Sequence, residues 1–405
     1  DDERYFFSLQ DLAKDFGVEL EELTQPFLIE VDGEEIPVGF EACEDMWEAD
    51  YRKNLAPISP TKALVQNGAR FVVNLSALLD YLKNQKRHRT VQSLKEEIGE
   101  EMVPFLYVNN CGVQNNGKNY ITFDGGTTAY NSDGEPVLLA EEAYEETLMV
   151  VDDSAIMGPP VDYSALEKPR IAQKFETIVQ GIWHQKETMG LEEDPFFVVG
   201  VSGGIDSAVD LAILAHAVGP EKLLAINMPT RYNSAETQDA ARRTAEALGI
   251  RYVPIPIEAA VEVVKRMVEQ SNIPGEMREV SEGGMESVMA KIRGTGLLSN
   301  IAAHHKGLFV NNGNKLEVAL GYATLYGDVG GAIAPLADLL KTELFDMARY
   351  LNEEIYKREV VPEVLLPDEL YRFGEDKIEP SAELKEKQVD PMKFGYHDAL
   401  LEAMT

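Results

Sequence analysis

The sequence predicts an α/β protein in two parts: a layered αββα half over residues 1–150 and a doubly wound parallel-sheet half over 169–405. Three observations carry this. Short β-like apolar runs with helical patterns between them fill the first part. A stretch with Pro-Pro and acidic residues but no sustained periodicity follows, VDDSAIMGPPVDYSALEK over 151–168, and reads as a linker. Strand and helix patterns then alternate, as crossover units of a parallel sheet do.

In chain order, LQDLAKDFGV reads as an amphipathic helix with Lys14 on its surface. PFLIEV, PVGFEAC, RFVVNLS, VPFLYVNN and NYITFDG read as strands, and Ser93 to Glu101 as helix. Asn115-Asn116-Gly117 and Ser132-Asp133-Gly134 are turn signals. Cys111, inside a strand-like run, reads as core. Beyond the linker, Ile171 to Glu187 has helical period. FFVVGVS, KLLAINM, YVPIPI and GLFVNN are the strands, with helices beginning near Asp206, Ser234 and Glu286. Internal repeats are not evident.

A chain of 405 residues with 44% apolar and 26% charged residues can bury two or three cores. Its formal net charge of -33 repels polyanions, which argues against nucleic acid or an anionic membrane as partner. A phosphate ligand must therefore be held by local devices. Two cysteines make no disulfide framework and fit a cytoplasmic protein. No run of about 18 apolar residues appears. The chain opens on Asp1 rather than Met, so it reads as a segment of something longer.

The richest stretch is VVGVSGGIDSAVD, Val198 to Asp210. Val198 to Val201 should be a buried strand, and DSAVDLAILAHA has helical spacing, so Ser202 to Ile205 falls at the turn between them. Two glycines there let backbone approach a ligand, and the helix N-terminus offers free N–H groups and a positive dipole end. Ser202 and Ser207 can add hydroxyl donors. A carboxylate at Asp206 repels phosphate unless a metal bridges them, which points to Mg²⁺ on a pyrophosphate. The plainer reading is a glycine turn with Asp206 as N-cap. SGGIDS resembles the pyrophosphate loop of N-type ATP pyrophosphatases and lacks the GKS or GKT of a Walker loop. Alone it leaves asparagine, GMP, NAD and tRNA-modifying synthetases open.

The downstream segments resemble NAD synthetases. They are MPTRYNSAETQDA at Met228 to Ala240, NNGNKLEVALGYATLYGD at Asn311 to Asp328, Pro335, DLLKTELFDMARYLN with Lys341, and PSAEL from Pro380. The resemblance implies adenylation of deamido-NAD by ATP and then amidation. It places Ser202, Gly203, Gly204, Ile205, Asp206 and Ser207 on pyrophosphate, and Asn312, Lys341 and Ser381 on ATP. Asp206 and Glu317 would share Mg²⁺; Glu317, Asp328, Ser287 and Lys291 would face deamido-NAD. One segment departs. Where the family reads Glu-Asn-X-Gln-Ala-Arg-X-Arg, this chain has Glu286, Ser287, Met289, Ala290, Lys291 and Arg293, and Lys lacks the planar fork of Arg. Asn312 stands where many members have Thr.

GFEACEDMW at Gly39 to Trp47 and YVNNCGVQNNGKNYITFDGG at Tyr107 to Gly126 resemble the nitrilase-like glutaminase domain of the glutamine-dependent members. The resemblance implies that the Cys43 thiolate attacks the glutamine amide and releases ammonia, with Glu44 and Ser76 binding glutamine. After Ser76 the family has a Ser-Pro segment and this chain reads ALLDYLKN, so the pocket over 76–84 is altered. The family's Glu base and Lys lie farther upstream than this sequence reaches, and its C-terminal tail carries a further Lys. The expectation is therefore use of free ammonia with little use of glutamine, in a homo-oligomer like those of the family. Two alternatives stand beside it: another N-type ATP pyrophosphatase amidoligase, and a non-catalytic ATP-binding module.

Overall fold

A computed structural model of the chain describes residues 9–50, 59–77, 83–115, 119–140, 143–163, 168–189, 195–271, 279–385, 388 and 390–404. They form two compact units, Asp1–Gln180 and Gly181–Thr405.

The first unit begins with α1 (Leu9–Phe16) and α2 (Leu20–Leu23), and Lys14 is exposed on α1. Its main sheet has six strands: β1 (Phe27–Val31), β2 (Glu34–Ala42), β3 (Phe71–Ser76), β4 (Phe105–Asn109), β7 (Thr128–Tyr130) and β8 (Pro136–Leu139), in the order β1-β2-β3-β4-β7-β8. The three central strands β2, β3 and β4 run parallel, and the outer ones are antiparallel. Helices α3 (Pro60–Gln66) and α4 (Lys83–Ile98) belong to the same unit. Leu64, Val65, Val91 and Leu94 from these helices bury Val72, Phe105 and Tyr130 from the sheet. Alternation along each strand sends Phe40, Leu75 and Val108 to the opposite face, where each remains exposed. In an αββα sandwich a second sheet packs on such a face.

β5 (Cys111–Asn115) and β6 (Tyr120–Asp124) form a separate two-stranded ribbon. Cys111 is only half-buried there, because such a ribbon has no layer packed on both faces; the core reading is corrected. The helix read over Ser93 to Glu101 starts ten residues earlier and ends in a single 3₁₀ turn. Residues 116–118 of the Asn-Asn-Gly turn lie outside the described residues. In the 151–168 segment, Asp152 caps a one-turn helix, α5 (Asp153–Ile156). The division between the units falls inside α6 (Arg170–Thr188).

The second unit carries β9 (Phe197–Gly200), α7 (Ile205–Val218), β10 (Leu223–Asn227), α8 (Ala235–Leu248), β11 (Arg251–Pro254) and α9 (Glu258–Glu269). Next come α10 (Glu282–Lys291), a π-helical stretch Ile292–Leu298, α11 (Ser299–His304), β12 (Leu308–Phe309), α12 (Lys315–Leu320), α13 (Lys341–Tyr350) and α14 (Tyr396–Met404). The sheet order is β11-β10-β9-β12 and every pairing is parallel. YVPIPI contributes only an edge strand, where its prolines cost no ladder bonds. Ile205, Ala208, Val209, Leu211, Ala212, Ile213 and Leu214 of α7 are all buried, which explains the near-unbroken aliphatic run after Asp206. The chain leaves β9 toward β10 on one side, while β12 joins on the other. That reversal opens a crevice at the carboxyl ends of β9 and β12, where ligands bind in open α/β sheets.

Candidate active site

The turn Ser202 to Gly204 sits at that crevice. Gly203 has φ +91°, and a Cβ built on it would lie 1.8 Å from the Thr237 carbonyl oxygen. Only glycine meets both conditions. Gly204, not Asp206, is the N-cap of α7, so the plain capping role proposed for Asp206 does not apply. The serines knit the turn together. Ser207 Oγ accepts from the Ser202 N–H (3.2 Å) and donates to the Gly204 carbonyl (3.1 Å), while Ser202 Oγ accepts from the Gly204 N–H (3.2 Å).

Asp206 projects from the first turn of α7 into a web of buried polar groups. The Lys341 ammonium, at the start of α13, donates to Asp206 Oδ2 at 2.5 Å and lies 3.7 Å from Glu317 Oε1. Asn314, fully buried, donates to Asp206 Oδ1 (2.7 Å) and forms a capping box with Glu317 at the start of α12. Burial, followed by the field of Asp206, pushes the Glu317 carboxyl up to about 7 against the opposing pull of Lys341. Burial also works against the Lys341 charge, but the two carboxylates outweigh it and its pKa is raised. The sequence points to Asp206, Glu317 and Lys341 but not to Asn314: the N-x-x-E spacing before an apolar run signals its cap, and nothing local signals its bond to Asp206.

Further groups were also missed. Asp390 lines the same cavity, where burial raises its pKa and it accepts from the Ala382 N–H and the Tyr322 hydroxyl. One turn along α7, Asp210 is fully buried, and among the described residues neither carboxylate oxygen has a hydrogen-bond partner. Burial and then the charge of Asp206 push its pKa well upward. On α14, Asp398 accepts from the Thr342 N–H (2.8 Å) and so braces the helix end that carries Lys341.

Ser202, Asp206, Glu317, Lys341 and Asp390 line a cavity of about 280 Å³ that extends over the ends of β9, β10 and β12. Ile205, Asn312, Asp328 and Ser381 all line it. Asn312 donates to the Gly200 carbonyl (2.6 Å), tying the end of β12 to β9; Asp328 accepts from the Thr324 N–H; Ser381 donates to the Gln388 carbonyl. From the altered helix segment, Ala290 and Arg293 line the cavity, whereas Ser287 and Lys291 do not; Lys291 is exposed. The Arg293 guanidinium donates to the Met228 carbonyl and to Asn233, and burial lowers its pKa to about 10. Glu383 of PSAEL accepts from Asn233, Ser234 and Thr237, a clamp invisible to periodicity.

In the first unit, Cys43 follows β2 directly in the left-handed region, φ +45°, which costs a non-glycine residue about 1–2 kcal/mol. A buried network holds it there. Asn74 on β3 donates to the Cys43 carbonyl (3.2 Å) and to Glu41 Oε1 (2.9 Å), Thr61 donates to Glu41 Oε2 (2.8 Å), and Ser76 donates to Asn74 Oδ1 (2.6 Å). Burial pushes the Glu41 carboxyl up to about 7 against the hydrogen bonds of Asn74 and Thr61. Glu44 and Cys43 are half-buried neighbours at the same turn, and Ser76 stands at the end of the adjacent strand. Residues 78–82, within the segment read as altered, lie outside the described residues.

The fold and its site define an α/β domain of the ATP pyrophosphatase type, preceded by a nitrilase-like sheet with a cysteine on a left-handed turn. Residues 174–404 match the family model described as NAD synthase, and the chain belongs to that family. It is similar to the glutamine-dependent NAD(+) synthetases of Synechocystis sp. (31% identical, covering 90% of this chain and 61% of that protein) and Rhodobacter capsulatus (30%, 91% and 63%). Among solved structures it is similar to the glutamine-dependent NAD+ synthetase of Acinetobacter baumannii in complex with ADP. That match has a TM-score of 0.66 at 27% identity and covers 85% of this chain and 61% of the other. The chain thus spans about six-tenths of the length of the relatives it matches.

Proposed function

We infer that the second unit uses ATP to adenylate the nicotinate carboxylate of deamido-NAD and then lets ammonia displace AMP, giving NAD. The observation that carries this reading is the convergence of the SGGIDS turn, Asp206, Glu317 and Lys341 on one cavity at the sheet's switch point. The backbone of Ser202 to Gly204 and the N-terminus of α7 would receive the leaving pyrophosphate, whose charge suits free N–H groups and a positive dipole end. Asp206 and Glu317 fit Mg²⁺, because two carboxylates opening on a cavity supply hard oxygen ligands and leave positions for phosphate and water. When bound, Mg²⁺ neutralises charge on the departing pyrophosphate. Lys341 would donate to a phosphate oxygen. Arg293, held by the Met228 carbonyl, and Asp328 would orient deamido-NAD.

Cys43 is read as the glutaminase nucleophile, with Glu44 and Ser76 toward glutamine. Asn74 donates to the Cys43 carbonyl and so fixes the turn that would present the thiol. Free ammonia is the expected nitrogen source for this chain, working in the cytoplasm as a homo-oligomer.

The test is pyrophosphate release and NAD formation with deamido-NAD, aspartate or xanthosine monophosphate as acceptor, and with ammonium chloride or glutamine as donor. Release confined to deamido-NAD, with product from ammonium, is expected. Equal release with the other acceptors would discard the reading. Efficient glutamine use abolished by Cys43→Ala would discard only the ammonia preference.

A further inference from the structure

Two carboxylates facing one cavity repel each other, and in this structure the cation between them is the protein's own. The Lys341 side chain is 2% exposed, its ammonium 2.5 Å from Asp206 and 3.7 Å from Glu317, while the two carboxylates remain 20% and 22% exposed toward the cavity. Asn314 fixes the second oxygen of Asp206, so that carboxylate cannot swing to serve an incoming ion without losing one of its two present partners. A tethered ammonium competes at high effective concentration, since its attachment to α13 removes the entropy of bringing it in.

We propose that Lys341 is the resident counter-cation of the Asp206–Glu317 pair, keeping it closed to free divalent cations and releasing Asp206 when a nucleotide phosphate offers the ammonium a new partner. This rests on reading the pair as the Mg²⁺ ligands. Metal and nucleotide then enter together, because each needs the change that the other rewards: phosphate draws Lys341 off Asp206, and the vacated carboxylate takes the metal. A strongly acidic protein gains from such a guard, since its net charge of -33 concentrates divalent cations around it whether or not nucleotide is present.

The test uses Mn²⁺ as probe, with free Mn²⁺ read by electron paramagnetic resonance in the absence of nucleotide. Lys341→Met should bind Mn²⁺ at least about tenfold more tightly than the unaltered chain, since a competing charge in contact with Asp206 is gone. Adding Asp206→Asn should erase the gain. Equal affinity in the unaltered chain and a folded Lys341→Met overturns the proposal. A second measurement needs no variant: crystals of the unaltered chain soaked with Mn²⁺ alone, or with Mn²⁺ and α,β-methylene ATP. Anomalous density at Asp206 is expected only in the second soak, with Lys341 Nζ moved away. Manganese at the pair in the first soak overturns the counter-cation role and leaves the metal reading intact; manganese in neither soak overturns both.

Discussion

The two units each place a sharp turn at the end of a strand that has a parallel neighbour, and they solve the backbone problem in opposite ways. At Ser202 to Gly204 the left-handed position belongs to glycine, φ +91°, and the missing side chain lets the Thr237 backbone pass close by. At the end of β2 the left-handed position belongs to Cys43, φ +45°, and a buried network of Glu41, Asn74, Thr61 and Ser76 holds it there. One turn clears space for a neighbouring segment of backbone; the other accepts strain to present a side chain.

The comparison breaks most severely at Gly203. Gly203→Ala must fit a methyl group where the Thr237 carbonyl stands and must hold alanine at positive φ. Overpacking against backbone costs about 3 kcal/mol or more. We expect the second unit to unfold at markedly lower temperature and pyrophosphate release to fall at least about a hundredfold. Wild-type melting and turnover would mean that the turn is not as tight as described.

Next in size are Asp206→Asn and Glu317→Gln. Each removes one carboxylate proposed to hold the metal against pyrophosphate, which should cost about 3 kcal/mol in the transition state, or about a hundredfold in rate. Far-ultraviolet circular dichroism should stay native. Near-normal turnover at saturating Mg²⁺ in either variant would remove that residue from the site.

How far these differences could be read beforehand depends on what kind of force makes each feature. The parallel sheet, the SGGIDS turn and the helix after it were legible, because alternating apolar periods and a Gly-Gly at a strand end are local patterns. The start of α4 was not, since KNQKRHRTVQ has no apolar stripe; Arg87 is nevertheless fully buried, its guanidinium bonded to the Tyr163 hydroxyl and stacked 4.2 Å from the Tyr107 ring. The Asn314 bridge to Asp206, the Asp390 bond to Tyr322 and the Glu383 bond to Thr237 join partners that are distant in sequence, and no local pattern reports such partners. Ser287 and Lys291 show the converse. The family pattern drew attention to them, yet the helix turns them away from the cavity that Ala290 and Arg293 line.

The network behind Cys43 gives a smaller, pH-dependent effect. Glu41 has its pKa raised from 4.5 to about 7 by burial, so the folded state favours its proton. Its contribution is fully present below about pH 4.5 and is lost as pH rises through about 7. A shift of that size corresponds to about 3 kcal/mol at most. The stability of Glu41→Gln relative to the unaltered chain should therefore improve by up to that amount between pH 4.5 and 8, measured by urea unfolding of the first unit. A pH-independent difference would show that Glu41 titrates normally in the folded protein.

The smallest effect sharpens the comparison best, because it is a matter of sign. At an ordinary exposed backbone site alanine is more stable than glycine, since glycine surrenders more freedom on folding, by about 0.5–1 kcal/mol. At φ +45° the order should invert. Alanine at position 43 keeps the left-handed strain of about 1–2 kcal/mol that cysteine already bears, whereas glycine adopts the same conformation without it. Both variants lack the thiol, so lost contacts with the core around Met46 and Trp47 largely cancel between them. Cys43→Gly should thus be more stable than Cys43→Ala by about 0.5–1 kcal/mol in urea unfolding. An alanine variant equal to or more stable than the glycine one would show that the turn is relaxed. The contrast between a turn that makes room and a turn that stores strain would then fall with it.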